Sequence, residues 1–237
     1  MIEQTFRQMV KTIEQLSHRH ATFTVFSDFI EMSAIAVANT VQISKYQERE
    51  KRYMRIIERY SKDELVKFAD LLGMLTVLLE QKPDDYLGKL FMELELYNSW
   101  KGQFFTPLAV AEAMAEMATH NIDSIIKDKG YITVNEPTVG GGVTIIALAK
   151  VLQKRGYNYQ SAMRVTAQDI DSRSVHMTYV QLSLLGINAI VIQGNTLLVE
   201  IVDHWKTPNH ILNFSLLSKV EELENIKPIE SEQLVLF

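Results

Sequence analysis

Near residue 100 the hydrophobic pattern of this chain changes period, and that change governs which folds remain open to it. Over residues 1–100 apolar side chains recur at three- and four-residue steps in 2–16, 23–43, 45–60, 63–80 and 86–98, which predicts five helices and no strand. Ser61 and Glu64 have the spacing of a capping box at the start of the fourth. Pro83, followed by Asp84 and Asp85, breaks the chain before the fifth. From 101 onward short strand-like runs alternate with helical stretches. Strands are expected at 131–135, 164–169 and 189–193, with a fourth at 210–214; helices are expected from Thr106-Pro107, at 142–155 and at 172–186. Alternation of this kind needs crossover helices on a parallel sheet. The expected organisation is an all-helical N-terminal domain over 1–100, an α/β domain with an incomplete parallel sheet over 101–214, and a C-terminal helix and tail over 215–237.

The first crossover carries the sequence "NEPTVGGGVTIIALAKVL" at 135–152, in which three glycines join a strand to a helix. A phosphate loop needs Lys-Ser/Thr after the glycines, and Val143-Thr144 stands there instead. A dinucleotide fingerprint needs a third spaced glycine, and position 145 is Ile. A tight turn without a ligand and a nucleoside site without pyrophosphate both remain. The second strand ends in "TAQDID", placing Asp169 at the carboxyl edge of the sheet beside the glycines, where a carboxylate can accept ribose hydroxyls. The third runs into "QGNTL" and presents Asn195 at the same edge.

Composition removes several classes of function. With no cysteine, the chain has no disulfide framework, thiolate nucleophile or cysteine-based zinc site. His18 and His20 are two residues apart and share no helix face, so no metal site is expected. The longest apolar runs, such as 71–79, are too short to cross a bilayer, and the N-terminus has no secretory pattern; a soluble cytoplasmic protein is expected. The net charge of −5 leaves nucleic-acid contact to a local patch or a partner. The best patch is the helix 45–62, net charge +4, with Lys45, Arg49, Arg52, Arg55 and Arg59 along one stripe. The same stripe reads equally as a solvated face holding pairs such as Glu48–Arg52.

Taken in order, "KGQFFTP" (101–107), "NEPTVGGG" (135–142), "AQDID" (167–171) and "GNTL" (194–197) resemble the motif set of adenine-N6 DNA methyltransferases. The likeness is to the modification subunits of type I restriction–modification systems. It implies a Rossmann-like S-adenosylmethionine-dependent methyltransferase core. Phe105, Thr106 and Pro107 would line the methionine end of that cofactor, and Gly140 and Gly142 would admit close backbone approach. Glu136 stands in the place of the family's first acid, and Asp169 would hold the ribose hydroxyls. The family's acid after the third strand accepts a hydrogen bond from the adenine amine. Here it is Asn195, whose carbonyl oxygen can still accept.

The family's [NDS]-P-P-[FYW] catalytic motif is missing, because no two of the five prolines are adjacent. At its expected place "HWKTPNHILNF" (204–214) offers Asn209 and His210 as diverged catalytic candidates and Trp205 for stacking on a flipped base, or else a surface loop without chemistry. The final "QLVLF" matches the bacterial sliding-clamp-binding pentapeptide, with Gln233 at a pocket rim and Leu234, Leu236 and Phe237 filling an apolar groove; the alternative is a tail packed on the chain's own core. Two functions remain open. One is an adenine-N6 DNA methyltransferase-like protein that binds S-adenosylmethionine and acts on DNA with a second methyltransferase or specificity chain. The other is a non-catalytic cofactor-binding or interaction module of a mobile element, docked on the clamp.

Overall fold

The computed structural model describes residues 1–96 and 105–213 and the backbone of 233–235. The N-terminal third is helical throughout: α1 (Ile2–Leu16), α2 (Thr22–Asn39), a 3-10 turn at Ile43–Lys45, α3 (Tyr46–Ile57), α4 (Lys62–Gln81) and α5 (Tyr86–Glu93). The capping box closes as its spacing predicts. Ser61 Oγ accepts from the Glu64 amide, and Glu64 Oε2 accepts from the Ser61 amide at 2.8 Å. Such a cap contributes about 1 kcal/mol.

The remainder runs α6 (Leu108–Ala118), α7 (Ile122–Lys129), β1 (Ile132–Glu136), α8 (Val143–Lys154), α9 (Tyr159–Ala162), β2 (Met163–Asp169), α10 (Ser172–Leu184), β3 (Asn188–Asn195), β4 (Glu200–Lys206) and β5 (Gln233–Val235). The sheet order is β4-β3-β2-β1-β5. β1 pairs in parallel with both β2 and β5, and β2 with β3, whereas β4 returns antiparallel along β3. The α/β core is therefore mixed rather than wholly parallel.

Three local readings need correction. Pro107, not Thr106, is the N-cap residue of α6, and it makes no side-chain cap. The strand expected at 210–214 is absent from the described residues: 208–213 are helical. The reason is local, since Thr207 Oγ1 accepts from the His210 amide at 3.4 Å and Pro208 opens the helix. Of the two readings of the terminal pentapeptide, the free tail gives way to the packed one over its first three residues: Gln233, Leu234 and Val235 pair in register with Thr133, Val134 and Asn135, and Leu236 and Phe237 lie outside the described residues.

The helical third and the α/β segment share one continuous apolar core. α2 is buried on most of its surface, through Phe26, Phe29, Ile30, Ala34, Ile35 and Ala38, and packs between α10 and its neighbours α1 and α3. Small side chains at Ala34 and Ala38 permit that close approach. Among the described residues no helix is long and apolar enough to cross a membrane.

Candidate cofactor site at the carboxyl edge of the sheet

The site grows from the turn between β1 and α8. Gly140 (φ +56) and Gly142 (φ +96) adopt left-handed backbone that a side chain would strain. The turn is tied down by three hydrogen bonds. The Gly140 amide donates to Asp169 Oδ2 at 2.9 Å, so the end of β2 holds the end of β1. Thr178 Oγ1 donates to the Gly140 carbonyl at 2.8 Å, and Gln181 Nε2 donates to the Gly141 carbonyl at 2.9 Å, both from α10. A Cβ on Gly140 would meet the Phe105 ring at 3.3 Å, which places the turn hard against the residues that lead into α6.

Two cavities flank the turn. One, of about 540 Å³, has Asp85, Gly88, Lys89, Phe105, Thr106 and Pro107 in its lining. The other, 250 Å³, is lined by Pro137, Thr138, Asp169, Gly194, Asn195 and Leu197. Gly140 touches a lining residue of each: its amide donates to Asp169, and a Cβ built on it would meet the Phe105 ring. Thr196 Oγ1 donates to the Pro137 carbonyl at 2.8 Å and laces the β3–β4 hairpin to the loop after β1.

Electrostatics decide what such a site can take. Asp169 is 9% exposed, and burial raises its carboxyl above the ordinary range even though it accepts from the Gly140 and Asp171 amides. Glu136, 2% exposed, is raised for the same reason, with the nearby Asp169 charge adding to the effect; it accepts from the Thr138 amide at 3.2 Å. Two desolvated carboxyls beside one turn repel a pyrophosphate and favour a ligand bearing positive charge. Each Asp169 oxygen takes one backbone N–H and keeps lone-pair capacity for a hydroxyl. The residues present therefore fit a nucleoside whose other end is cationic.

Asn195 departs from its expected role. Its Oδ1 accepts from the amides of Leu197 and Leu198 at 3.0 and 3.2 Å, so the carbonyl expected to face a base is already engaged by the turn. Glu136, Gly140, Gly142, Asp169, Asn195, Phe105, Thr106 and Pro107 all border the two cavities or the turn between them. Lys101, Gly102, Gln103 and Phe104 of the first motif lie outside the described residues.

The expected catalytic segment is elsewhere. Because β4 runs antiparallel to β3, it starts at the carboxyl edge and ends at the opposite one. Asn209 Nδ2 donates to the carbonyls of Gln160 and Gly186, and His210 Nδ1 lies 2.9 Å from Asn188 Oδ1, all at the amino edge. Trp205 is fully buried between His176 and Tyr179 with Arg49 over its ring, and has no face for a base. Asn209, His210 and Trp205 are thus structural.

The basic stripe of α3 is corrected in the same way. Arg49 is 1% exposed; its Nη1 donates to Gln42 Oε1 at 2.8 Å and its Nη2 to the His204 carbonyl at 3.1 Å. Arg52 pairs with Glu31, Arg59 with Asp28, and Lys45 with Glu48 and Asp203. Of the five cations, only Arg55 has no ion pair among the described residues and is exposed. A stripe read from helical period alone does not reveal which side faces the core.

Sequence reasoning missed Asp85 and Gln181. Asp85 caps α5 through the Gly88 amide at 2.9 Å and accepts from Gln181 Nε2 at 2.8 Å, while the Leu87 amide donates to Gln181 Oε1 at 3.1 Å. Gln181 also holds Gly141, so one amide joins the helical segment to the glycine turn. Burial pushes the Asp85 carboxyl up to about 6. The only signal in the sequence is Asp85 three residues before Gly88, which reads as a helix cap and nothing more.

A family model described as N-6 DNA Methylase matches residues 89–214. No curated protein matches the chain. Among solved structures, one described as a class I S-adenosylmethionine-dependent methyltransferase from Listeria monocytogenes is 12% identical with a TM-score of 0.44, over 81% of this chain and 52% of that one. A type I restriction-modification system methyltransferase subunit from Streptococcus thermophilus is 14% identical with a TM-score of 0.45, over 83% of this chain and 58% of that one. The chain spans little more than half the length of the solved structures it matches.

Proposed function

Because the chain belongs to the N-6 DNA methylase family, we propose that it is an S-adenosylmethionine-binding subunit that transfers no methyl group by itself and acts on DNA only with a partner chain. One observation carries this reading: the antiparallel β4 takes 205–210 to the edge of the sheet opposite the glycine turn. No residue of that segment can reach a methyl donor seated at Asp169.

The binding half follows from the residues at the carboxyl edge. Asp169 accepts from ribose hydroxyls while its bonds to Gly140 and Asp171 keep it in place. Gly140 and Gly142 let the backbone approach the ligand without a Cβ in the way. Phe105, Thr106 and Pro107 wall the cavity for an amino-acid end, and the raised carboxyls of Glu136 and Asp169 gain from a neighbouring cation. The cofactor, when bound, supplies an electrophilic methyl group. Adenine-N6 transfer also needs acceptors aimed at the amine and a surface to stack the flipped base, which a partner would bring. DNA contact falls to the partner as well, since four of the five stripe cations, Lys45, Arg49, Arg52 and Arg59, are engaged in ion pairs within the chain.

Titration calorimetry with S-adenosylmethionine and a tritium-transfer assay on mixed-sequence DNA test the two halves. The expected result is saturable binding, weakened by Asp169→Asn, with no incorporation by the purified chain. Absence of binding refutes the pocket. Incorporation by the chain alone, lost in Asp169→Asn, refutes the partner requirement.

A further inference from the structure

We infer that Asp85 holds the ammonium group of the cofactor's amino-acid end, accepting from it at the one carboxylate oxygen that the fold leaves open. The inference rests on the cofactor-binding reading above and adds the residue that selects for a cation in the larger cavity.

The two oxygens of Asp85 are used unequally. Oδ1 accepts from the Gly88 amide at 2.9 Å and from Gln181 Nε2 at 2.8 Å. Oδ2 accepts no hydrogen bond among the described residues, although Asp85 is only 5% exposed. The residue is in the lining of the 540 Å³ cavity, with Phe105, Thr106 and Pro107. Both of its oxygens lie 3.7 Å from where a Cβ on Gly141 would stand, so the carboxylate abuts the glycine turn. A buried acceptor without a partner at a cavity wall calls for a donor from the ligand.

Charge points the same way. Asp85 has no ion pair among the described residues, since Lys89, the cation of its own turn, pairs with Asp84. Burial pushes its carboxyl up to about 6, so at pH 7.5 it is ionised, desolvated and without an ion-pair partner. A cation in the cavity offsets that cost, and a neutral group does not. Asp169 borders the smaller cavity and Asp85 the larger. The two acids therefore address different ends of one ligand, the ribose hydroxyls and the ammonium.

The test compares S-adenosylhomocysteine with 5′-S-(3-carboxypropyl)-5′-thioadenosine, which lacks only the α-amino group, by titration calorimetry at pH 7.5 on the wild-type chain and on Asp85→Asn. The amide oxygen of the variant keeps the bonds from Gly88 and Gln181, while its nitrogen turns the open acceptor into a donor. Circular dichroism confirms that the variant is folded. The wild type is expected to bind the amino ligand at least about fivefold more tightly, the scale of one hydrogen bond to a charged group, and Asp85→Asn to lower that ratio by at least about fivefold. A smaller wild-type preference overturns the inference. So does a ratio that moves by less in the variant, including equal weakening of both ligands, which is what a purely structural role would give. Failure of the wild type to bind either ligand overturns the cofactor site itself, whereas binding of both without preference overturns only the role of Asp85.

Discussion

The guanidinium of Arg49 lies over the ring of Trp205, 3.8 Å from its centroid, and joins α3 to the antiparallel edge strand. Both residues look functional in the sequence, one as a phosphate contact and the other as a base-stacking platform. Each is instead the other's partner. The Arg49 nitrogens take the Gln42 oxygen and the His204 carbonyl, and Asp203 lies 4.0 Å away. A desolvated cation–π contact of this kind is worth about 2 kcal/mol.

Arg49→Ala is expected to destabilise the fold by about 3 kcal/mol, because it removes the stacking contact and the shorter of the two hydrogen bonds that the Gln42 oxygen and the His204 carbonyl each accept. Arg49→Met restores the packing over Trp205 and should cost about 1 kcal/mol less than the alanine change. Urea unfolding followed by tryptophan fluorescence measures both. Equal losses would place the energy in the hydrogen bonds rather than in the packing.

Gly142→Ala should cost more than Gly156→Ala. Both glycines have positive φ, +96 and +84, so both variants carry backbone strain of about 1–2 kcal/mol. Only at Gly142 would the added Cβ also meet Thr178, 3.2 Å from its Oγ1, whereas Gly156 has open space. Thermal denaturation of the two variants reads the difference as the contribution of close approach at the turn.

Asp85→Asn is expected to stabilise the protein at pH 7.5 by about 2 kcal/mol and to have no effect at pH 3.5. Burial raises this carboxyl from 3.8 to about 6, so the folded state keeps a proton that the unfolded chain releases. Stability therefore falls as pH rises from about 4 to 6 and is level above that. The amide removes the buried charge while its oxygen still accepts from Gly88. Urea unfolding at the two pH values checks the sign.

His176 predicts a slope of the opposite sense. It is 2% exposed, and burial, with Arg52 and Arg49 nearby, lowers its pKa from 6.5 to about 3. The unfolded chain takes up a proton that the folded state refuses, so stability is lost as pH falls below 6.5 and levels near 3. His176→Phe keeps an aromatic edge against Trp205 and should remove about 2–3 kcal/mol of the loss between pH 7 and 4.5. A Tm series over that range measures it, and parallel curves for variant and wild type would refute it.

Much of the architecture is written in short stretches of chain. The helices of the first hundred residues follow from apolar spacing, and the cap at Ser61 and Glu64 needs only four residues to specify it. The meeting of Gly140 with Asp169 was also legible, since a right-handed crossover brings the ends of adjacent parallel strands together whatever lies between. The direction of β4 was not. "EIVDHWK" is an acceptable strand in either sense, and only pairing with β3 and the burial of Trp205 choose between them. The side of α3 that faces inward was equally undetermined, because helical period places Arg49, Arg52 and Arg59 on a stripe without saying what lies opposite. The sequence by itself determined the helices of the first third, the three parallel strands β1, β2 and β3, the glycine turn and the acid beside it, but neither the strand β4 nor the helix that follows it. Only the tertiary structure decided that the segment after β4 leaves the pocket, that Arg49 and Trp205 belong to the core, and that Asn195 has its oxygen already engaged. Local chemistry sets what a residue can do, and the packing of distant segments settles which of its atoms remain available to do it.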